Sequence, residues 1–540
     1  MTRYPAPDPK RAVEFRAAGY WRDDTISALI AAAAARTPDK CAVRDASGAA
    51  LSYRALMERS SRLAGFLAAR GLAQGDIVTI CLPNWCETVI VFLAALRLGA
   101  VVNPVPVTYG RADLAFVTRK CDSRALIFAG RFRSVDYTEL LAAIPETLAG
   151  RTLIRLGEGA RPLGTPWAEA LSHAPHAGTP AISADDPAAV LFTSGTEARA
   201  KGAVHTHNTI LFGERALASA LGLGADDVAF MASPISHTTG FMHGVVMTLT
   251  CGGTLSLLDI FEGGRAVRQI ATHGATWTMG ATPFLADIAD ALEATGLRLP
   301  SLKYFLCGGA PIPEALVRRA MAVALRVLAI YGATESPPHT VVHPSDPPEN
   351  AWTSDGRPLA GIAVRIVGLD GRDLPAGEIG EEWSRGPNTF LGYLGEPELT
   401  AKDFDAEGWY HSGDLARRLA DGSLRVAGRI KDIIVRGGQN ISAREVEDYL
   451  AAHPAVQAVA VVGIPHPRLG ETGCAVIVLR PDASVTLPEL AGYLSAKGVA
   501  RFKLPERLEI WPSLPMNPSG KIQKFLIRKT LAESAGRSQS

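Results

Sequence analysis

Residues 76–105 read DIVTICLPNWCETVIVFLAALRLGAVVNPV, and this stretch indicates the fold class. Residues 76–82 form a short apolar run closed by Pro83, which is typical of a buried parallel strand. Residues 87–98 predict a helix and residues 101–105 a second strand, so the stretch predicts a strand–helix–strand unit. Further apolar strands are predicted at residues 189–192, 228–231, 253–258, 304–306 and 327–330. The bulk of the chain is therefore predicted to be α/β with parallel sheets.

The chain changes character after about residue 361, where short strand patterns alternate with Gly- and Asp-rich turns. These strands are predicted at residues 363–367, 380–384 and 424–427, and they indicate a small β-rich subdomain over about 361–428. After Gly428 a compact α+β unit is predicted, with strands at 430–435, 456–462 and 472–479 and helices at 443–452 and 487–497. We therefore expect a large N-terminal domain over residues 1–428 and a small C-terminal domain over residues 429–540.

Length, charge and cysteine usage exclude several classes of protein. The 540 residues exceed a single small module, since one domain takes roughly 150 residues. The 55 Lys and Arg balance 54 Asp and Glu, so a net charge of +1 gives no overall attraction to nucleic acid or an anionic membrane. The seven Cys form no CxxC pair, which argues against a disulfide framework or zinc knuckle and for a reducing compartment. With no signal-peptide pattern and no apolar run long enough for a bilayer, we expect a cytoplasmic protein without a membrane span.

The loop FTSGTEARAKG at residues 192–202 directly follows the predicted strand 189–192. Hydroxyls, small residues and Lys201 suit a phosphate group, because N–H groups and hydroxyls can surround its oxygens while the ammonium neutralises its charge. A P-loop is excluded, since Ala200 precedes the Lys and Gly202 follows it, so the hydroxyl that would bind Mg²⁺ is missing. Taken alone, the loop has a solvated turn with a surface Lys as its alternative interpretation.

Five further loops carry residues suited to nucleotide chemistry. They are Gly308-Gly309-Ala310-Pro311, Tyr331-Gly332-Ala333-Thr334-Glu335, the run from Gly408 to Asp414, the run from Gly428 through Asp432 to Asn440, and residues 515–524 with Lys521. Adjacent glycines after a strand let the backbone approach a flat ring. A carboxylate such as Glu335 beside a phosphate makes sense through Mg²⁺. Asp414, which we expect just after a tight turn, can accept hydrogen bonds from two ribose hydroxyls.

In this order and spacing, the six loops resemble those of the acyl-/aryl-adenylate-forming superfamily. That superfamily includes acyl-CoA synthetases, peptide-synthetase adenylation domains and firefly-type luciferases. The resemblance extends from about Trp21 to Lys529. Within the superfamily, the chain is most similar to bacterial CoA ligases for medium-chain or alicyclic acids, of the cyclohexanecarboxylate–CoA ligase type, with dihydroxybenzoate-activating enzymes nearby.

The resemblance implies an AMP-forming acid–CoA ligase with two half-reactions. A carboxylate first attacks the α-phosphate of ATP to give acyl-AMP and pyrophosphate, and the CoA thiol then attacks the acyl carbon and releases AMP. The implied ligands are a small carboxylic acid, ATP, Mg²⁺ and CoA, and a homo-oligomer is left open. Two alternatives remain: loading of a pantetheine arm on a separate carrier protein, and a nucleotide-binding homologue with impaired catalysis.

The resemblance also implies a role for each matching residue at the nucleotide. Phosphate contacts are implied for Thr193, Ser194, Gly195, Thr196, Lys201 and Thr334, adenine contacts for Gly308, Gly309, Ala310, Tyr331 and Gly332, and ribose contacts for Asp414 and Arg429. Glu335 and Thr193 are implied to hold Mg²⁺. Lys521 is implied to bridge the carboxylate and the α-phosphate. Removing such a preorganised charge typically slows a reaction on the order of 10²–10³-fold or more.

The acyl and thiol sites are implied in the same way. The acyl pocket is expected to contain His237, Gly240, Met279, Gly280 and Ala333, with His237 as the gate between carboxylate and thiol and a structural His as its alternative. These segments are small and apolar, which suits an uncharged acyl body. Lys431 matches the hinge of a swinging C-terminal domain, and Gly437 and Gly438 match the lining of the pantetheine tunnel.

Three residues of the phosphate loop depart from the family pattern Thr-Ser-Gly-Thr-Thr-Gly-x-Pro-Lys-Gly. Glu197 replaces a hydroxyl, Ala198 a Gly and Ala200 a Pro, and these changes motivate the impaired-homologue alternative. His205 and His207 have no third ligand at suitable spacing, so we expect structural roles rather than a metal site. Cys307 has no part in the implied chemistry and is expected to pack in the core.

Overall fold

The computed structural model of the protein describes residues 4–178, 180–193, 200–310, 312–368, 370–437, 439–517 and 520–537. The described strands of the first half of the chain are β1 (Cys41–Asp45), β2 (Ala50–Ser52), β3 (Ile77–Cys81), β4 (Val101–Pro104), β5 (Ala125–Ala129), β6 (Arg131–Phe132), β7 (Val135–Asp136), β8 (Thr152–Leu156), β9 (Thr165–Pro166), β10 (Pro187–Thr193), β11 (Lys201–Thr206), β12 (Val228–Met231), β13 (Thr254–Leu257) and β14 (Trp277–Gly280). Those of the second half are β15 (Tyr304–Gly308), β16 (Val327–Ala333), β17 (Ser336–Val341), β18 (Arg357–Pro358), β19 (Ala363–Val367), β20 (Gly380–Arg385), β21 (Gly392–Tyr393), β22 (Tyr410–Arg418), β23 (Leu424–Arg429), β24 (Ile433–Arg436), β25 (Gln439–Ser442), β26 (Val456–His466), β27 (Gly470–Leu479) and β28 (Arg507–Ile510).

The described α-helices are α1 (Pro9–Ala17), α2 (Ile26–Arg36), α3 (Tyr53–Ala69), α4 (Cys86–Arg97), α5 (Arg111–Lys120), α6 (Tyr137–Ala142), α7 (Pro145–Leu148), α8 (Trp167–Leu171), α9 (His207–Leu221), α10 (Thr248–Cys251), α11 (Gly263–His273), α12 (Thr282–Thr295), α13 (Glu314–Ala322), α14 (Asn350–Thr353), α15 (Pro397–Lys402), α16 (Ala443–Ala451), α17 (Leu487–Ala496) and α18 (Lys524–Arg537). A π-helix spans Thr239–Met247, and 3₁₀ turns span Ile430–Asp432 and Arg501–Lys503.

One large sheet has nine described strands, in the order β18-β17-β16-β15-β14-β12-β13-β1-β2. Its centre, from β16 to β1, is parallel, whereas β17, β18 and β2 pair antiparallel at the edges. Parallel strands have their carboxyl ends at the same edge of a sheet. The residues that follow β12, β14, β15 and β16 are therefore brought together there.

A second sheet has eight described strands, in the order β21-β11-β10-β4-β3-β5-β8-β9. The predicted strand–helix–strand unit lies at its centre as β3, α4 and β4, and every residue of β3 is buried. This confirms the prediction of an α/β fold with parallel strands. β11 returns antiparallel to β10, with Phe192 in register with Gly202 and Thr193 with Lys201.

The predicted β-rich unit is present as the antiparallel sheet β19-β20-β22-β23. The expectation of a tight turn just before Asp414 is wrong, because Asp414 lies within β22, in register with Arg429 of β23. The local turn signal reflects a bulge instead: Gly413 has φ +69°, and the pairing of β22 with β20 shifts register around it.

The last part of the chain folds around a sheet of its own, in the order β25-β24-β27-β26 with β28 beside β27. The strand predicted at residues 430–435 begins only at Ile433, because the three residues before it form a 3₁₀ turn. Apolar residues after position 433 cluster separately from the main core of the chain. The separate clusters are compatible with the domain division at residue 428, which stays a prediction.

The described residues contain neither a membrane-spanning helix nor a disulfide. No helix in the described part of the chain is both long and apolar enough to cross a bilayer. All seven cysteines lie in described segments, and each of them is a free thiol.

Candidate active site

A cleft opens at the carboxyl ends of the parallel strands of the nine-stranded sheet and encloses about 650 Å³, part of it open to solvent. The described residues that line it are Ser233, His237, Thr238, Thr239, His243, Met279, Gly280, Ala281, Gly308, Gly309, Ile330, Tyr331, Gly332, Ala333, Thr334, Pro337, Pro338 and Lys521. Ligands of open α/β sheets bind at this edge. The cleft therefore brings together most of the residues implied for the adenine, the acyl group and the bridging lysine.

Lys521 reaches into the cleft from the far end of the chain. Its side chain passes Gly309, where an added Cβ would lie 3.0 Å from Lys521 Cε, so the absence of a side chain at Gly309 leaves room for the lysine. The loop is held from within, because Lys521 N donates to Asn517 Oδ1 over 2.8 Å. Burial lowers the pKa of Lys521 to about 8, and Arg429 acts in the same direction.

Asp414 and Arg429 lie opposite one another on β22 and β23. Arg429 Nε is 3.0 Å from Asp414 Oδ1, and Tyr331 Oη donates to Asp414 Oδ2 over 2.8 Å. Asp414 is buried, and its carboxylate raises the pKa of the Arg429 guanidinium above the usual value. The three side chains form one polar unit that joins the edge of the cleft to the β-rich sheet.

Lys201 and Glu335 lie on either side of Tyr393 of β21. Lys201 Nζ is 5.1 Å from the centroid of the Tyr393 ring, which is a cation–π distance. Tyr393 Oη lies 2.9 Å from Glu335 Oε1 and 2.9 Å from Asp403 Oδ2. A phenol carries one hydrogen and cannot donate to both carboxylates at once. Burial raises the pKa of Glu335, because a charged carboxylate is less favourable away from water.

This donor set fits a magnesium ion. Mg²⁺ in nucleotide sites commonly takes one or two carboxylates and completes its shell with phosphate oxygens and water. Glu335 supplies a half-buried carboxylate, and Thr193 supplies a hydroxyl at the end of β10. Within the described ranges, no cluster of three or more His, Cys, Asp and Glu forms a metal cage, and Mg²⁺ bound with a nucleotide needs none.

His237 lines the cleft with its ring held by the start of the π-helix, because Thr239 N donates to His237 Nδ1 over 3.2 Å. Burial lowers the pKa of His237 to about 3, and the positive Lys521 adds to the effect. The imidazole is therefore neutral near pH 7.

The remaining predicted residues are placed less centrally. Gly240 is not among the lining residues, since an added Cβ there would meet Pro234 O at 2.3 Å; it packs the π-helix against the preceding loop. Ala310 follows the two lining glycines at the partly exposed rim. Lys431 lies in the 3₁₀ turn after β23, and Gly437, with φ +56°, directly follows β24. Ser194, Gly195, Thr196, Glu197, Ala198 and Gly438 lie outside the described residues.

The two histidines after β10 and Cys307 serve the protein interior. His205 Nε2 is 2.8 Å from the backbone O of Thr334, so it supports the loop that carries Glu335. His207 Nδ1 accepts from Ile26 N. Cys307 is fully buried in β15, and burial raises the pKa of its thiol to about 12. None of the three faces the reacting groups as a nucleophile or metal ligand.

Sequence reasoning missed several side chains of the site. Tyr393 touches both Lys201 and Glu335, yet it comes 58 residues after Glu335 in the sequence. His243 and Pro337 line the cleft, and His243 binds Glu214 of α9. One signal was available for His243: it follows His237 by six residues within the same apolar segment.

Comparison with protein families agrees with this geometry. Residues 30–394 match the family described as AMP-binding enzyme, and residues 445–521 match the AMP-binding enzyme C-terminal domain. The chain therefore belongs to the AMP-binding enzyme family, as its resemblance to adenylate-forming enzymes predicted.

Individual relatives cover nearly the whole chain. A medium-chain fatty-acid–CoA ligase of Escherichia coli K12 is 40% identical over 97% of this chain and 93% of the relative. A salicyl-AMP ligase / salicyl-S-ArCP synthetase of Mycobacterium tuberculosis is 34% identical over 97% of this chain and 94% of the relative. The crystal structure of ATP-bound MatB from Rhodopseudomonas palustris superimposes with a TM-score of 0.84 at 30% identity, covering 94% of this chain and 99% of that one. The prediction of an AMP-forming acid–CoA ligase that uses ATP and CoA is confirmed.

Proposed function

We propose that this ligase activates an uncharged, medium-sized carboxylic acid, and that the described conformation is the one that forms the acyl-adenylate. The observation that carries the proposal is the position of Lys521, whose side chain lies in the cleft against Gly309. A lysine there can meet the substrate carboxylate and the α-phosphate together. Negative charge builds between these two groups as the P–O bond forms, and a preorganised ammonium stabilises it.

The nucleotide is assigned to the rim of the cleft. Gly308 and Gly309 offer a flat surface to the adenine, and Tyr331 offers an aromatic face beside it. Asp414 is fixed by Tyr331 and Arg429, so its carboxylate is oriented before a ribose arrives. Lys201, at the start of β11, and Thr334 are assigned to the phosphates.

Mg²⁺ is assigned to Glu335 and Thr193. When bound, the ion neutralises phosphate charge and makes pyrophosphate a better leaving group. Tyr393 orients the Glu335 carboxylate by donating to Oε1. Replacing Glu335 by Gln should raise the Mg²⁺ concentration needed for half-maximal adenylation about tenfold or more, as a titration of the initial rate would measure.

The residues that line the cleft indicate the class of acid that fits it. Among the described lining residues, Lys521 is the single Lys or Arg, and the rest are small, apolar or neutral polar apart from two histidines. A second carboxylate on the substrate would find no fixed cation there. A medium-chain, alicyclic or aromatic acid fits this lining, and the medium-chain relative supports the same class.

The second half-reaction is assigned to a different orientation of the C-terminal domain, residues 429–540. Lys431 lies in the short turn between two sheets, which is where a hinge is expected. Gly437, directly after β24, would then face the cleft and line the path of the pantetheine arm. We place the enzyme in the cytoplasm, which its seven free thiols support.

The test is acid-dependent exchange of labelled pyrophosphate into ATP with a panel of carboxylic acids, followed by product analysis with CoA. We expect exchange with uncharged medium-sized acids and consumption of CoA to a thioester. Absence of exchange with every acid would contradict the proposal and support the impaired homologue. Exchange without CoA consumption, together with loading of a carrier protein, would support the alternative that the salicyl-AMP ligase relative represents.

A further inference from the structure

The inner wall of the cleft contains a buried polar pair that the reaction described above does not use. His243 lies on the π-helix Thr239–Met247, and Glu214 lies on α9. His243 Nδ1 is 2.9 Å and 3.0 Å from the two oxygens of Glu214, so Nδ1 donates to the carboxylate. The side chains are only 5% and 2% exposed.

The packing around this pair fixes its position. Gly213 lies so close to Pro337 that an added Cβ would meet Pro337 O at 2.6 Å, which sets α9 against the inner wall of the cleft. Glu214 follows directly and points its carboxylate to His243. On the other face of the π-helix, Phe241 packs edge-on against Phe92 with the ring centroids 4.8 Å apart. A π-helix is rare and often marks a functional site, and here it turns His243 toward the cleft.

The second ring nitrogen of His243 has no hydrogen-bond partner among the described residues. Nδ1 is taken by Glu214, and no described residue hydrogen-bonds to Nε2, which lies on the opposite side of the ring. His243 lines the cleft, so this side of the ring faces the space for the acid.

Burying such a pair is costly unless every polar atom is satisfied. A pair that served stability alone could be replaced by apolar side chains of similar volume without loss. In the described structure, Nε2 instead lies on the side of the ring that borders the cleft, where a substrate atom can arrive.

The path of the acid leads to this nitrogen. The carboxylate must lie beside Lys521, at the rim that contains the partly or fully exposed Gly309, Gly332 and Thr334. Exposure falls from there to the inner wall, where Ser233, His243 and Pro337 are buried. The body of the acid therefore extends away from the reacting carboxylate and toward His243.

Resting on the proposed function, we infer that His243 is a specificity-determining residue that hydrogen-bonds a hydroxyl group on the acyl body of the substrate, and that Glu214 is the positioning residue that orients its ring. A hydroxyl matches the site because it can donate to Nε2, which is left as an acceptor when Nδ1 carries the ring hydrogen. The substrate class is then a hydroxylated medium-sized carboxylic acid. The parent hydrocarbon acid would leave the polar wall unsatisfied, and a site built to bind a hydroxyl rejects an analogue that lacks it.

The test compares matched acids with and without one hydroxyl, such as hydroxyoctanoates against octanoate and hydroxybenzoates against benzoate, in the pyrophosphate-exchange assay. The wild-type enzyme should favour at least one hydroxy acid over its parent by about ten- to a hundredfold in kcat/KM. His243→Leu should remove that preference, and Glu214→Gln should weaken it. His243→Gln, whose amide can reach the position of Nε2, should restore part of it. His343→Leu, at an exposed histidine, is the control and should keep the wild-type ratio.

The outcomes separate this inference from the proposed function. If the wild type exchanges with parent acids but prefers no hydroxy acid, the role of His243 is overturned while the proposed function stands. This measurement uses the wild type only, so it does not depend on whether the variants fold. A wild-type preference that His243→Leu leaves unchanged would also overturn it. Absence of exchange with every acid, hydroxylated or not, would overturn both.

Discussion

At the scale of single residues, burial sets the charge of the groups around the reaction. Lys521 has its pKa lowered to about 8 and His237 to about 3, in both cases first by burial. A neutral His237 does not compete with the ammonium of Lys521 for the substrate carboxylate.

Deeper in the fold, burial raises the pKa of Glu382 to about 8. Glu382 lies 3.4 Å from Tyr331 Oη, behind the nucleotide side of the cleft.

The lowered pKa of Lys521 predicts a pH dependence of adenylation. The amine is charged below its pKa, so kcat/KM for the exchange reaction should fall as the pH rises above about 8, because kcat/KM reports the free enzyme. Lys521→Arg keeps its charge across the whole range, so its profile should lack this decline even if its rate is lower. An identical decline in the Arg variant would assign the ionisation to another group.

The raised pKa of Glu382 predicts a pH-dependent stability. Between about pH 4.5 and 8 the folded state binds a proton that the unfolded state releases, so the stability of the wild type falls as the pH rises through this window. Gln does not titrate. The melting temperature of Glu382→Gln relative to wild type should therefore increase from pH 5 to pH 8, while buried histidines such as His339 cancel in the difference. A difference that stays constant with pH would contradict this reading of Glu382.

Some residues of the site are predictable from the sequence and others are not. Lys521 and Gly309 lie in loops with recognisable composition, and the structure brings them into contact distance. The pairing of His243 with Glu214 joins residues 29 positions apart on two helices, and the local sequence of neither helix predicts it. Tyr393 is similarly fixed by the pairing of β21 with β11. Such contacts depend on tertiary packing, which local patterns do not contain.

At the scale of elements, local patterns predict the buried strands and three strands of the β-rich sheet well, but they do not predict β22. β3, α4 and β4 are found within one or two residues of the predicted bounds. A short, fully apolar run between turn signals is typical of a buried strand, so its bounds are well predicted. β22 was missed because its centre, Ser412-Gly413-Asp414, has the composition of a turn. Pairing with β20 and β23 on either side holds it in the sheet despite that signal.

The π-helix gives a prediction about packing rather than binding. Gly240→Ala places a Cβ 2.3 Å from Pro234 O, a backbone atom that cannot move alone, so we expect a loss of stability of about 1–3 kcal/mol. Gly244→Ala in the same helix meets Met231 Cγ at 3.0 Å, and this flexible side chain can shift, so its loss should be smaller. Thermal unfolding of the two variants measures the difference. Equal losses would contradict the packing role of Gly240.

At the scale of the whole molecule, we propose that two faces of the C-terminal domain serve the two half-reactions. The loop with Lys521 reaches the cleft in the described conformation, whereas Gly437 directly follows β24, a strand of the C-terminal sheet. Length and composition predict a molecule of several domains, and family likeness predicts that one of them moves. The orientation of that domain is a property of inter-domain contacts, which no sequence pattern specifies.

The central claim, that Lys521 serves the first half-reaction and Gly437 the second, is tested by measuring both half-reactions in matched variants. Lys521→Ala should lose acid-dependent pyrophosphate exchange on the order of 10²–10³-fold, yet still convert supplied acyl-AMP and CoA to the thioester. Gly437→Trp should do the reverse, with Gly437→Ala as the control that shares its strained positive φ without the bulk. If Lys521→Ala loses thioester formation from supplied acyl-AMP as severely as it loses exchange, the account is wrong.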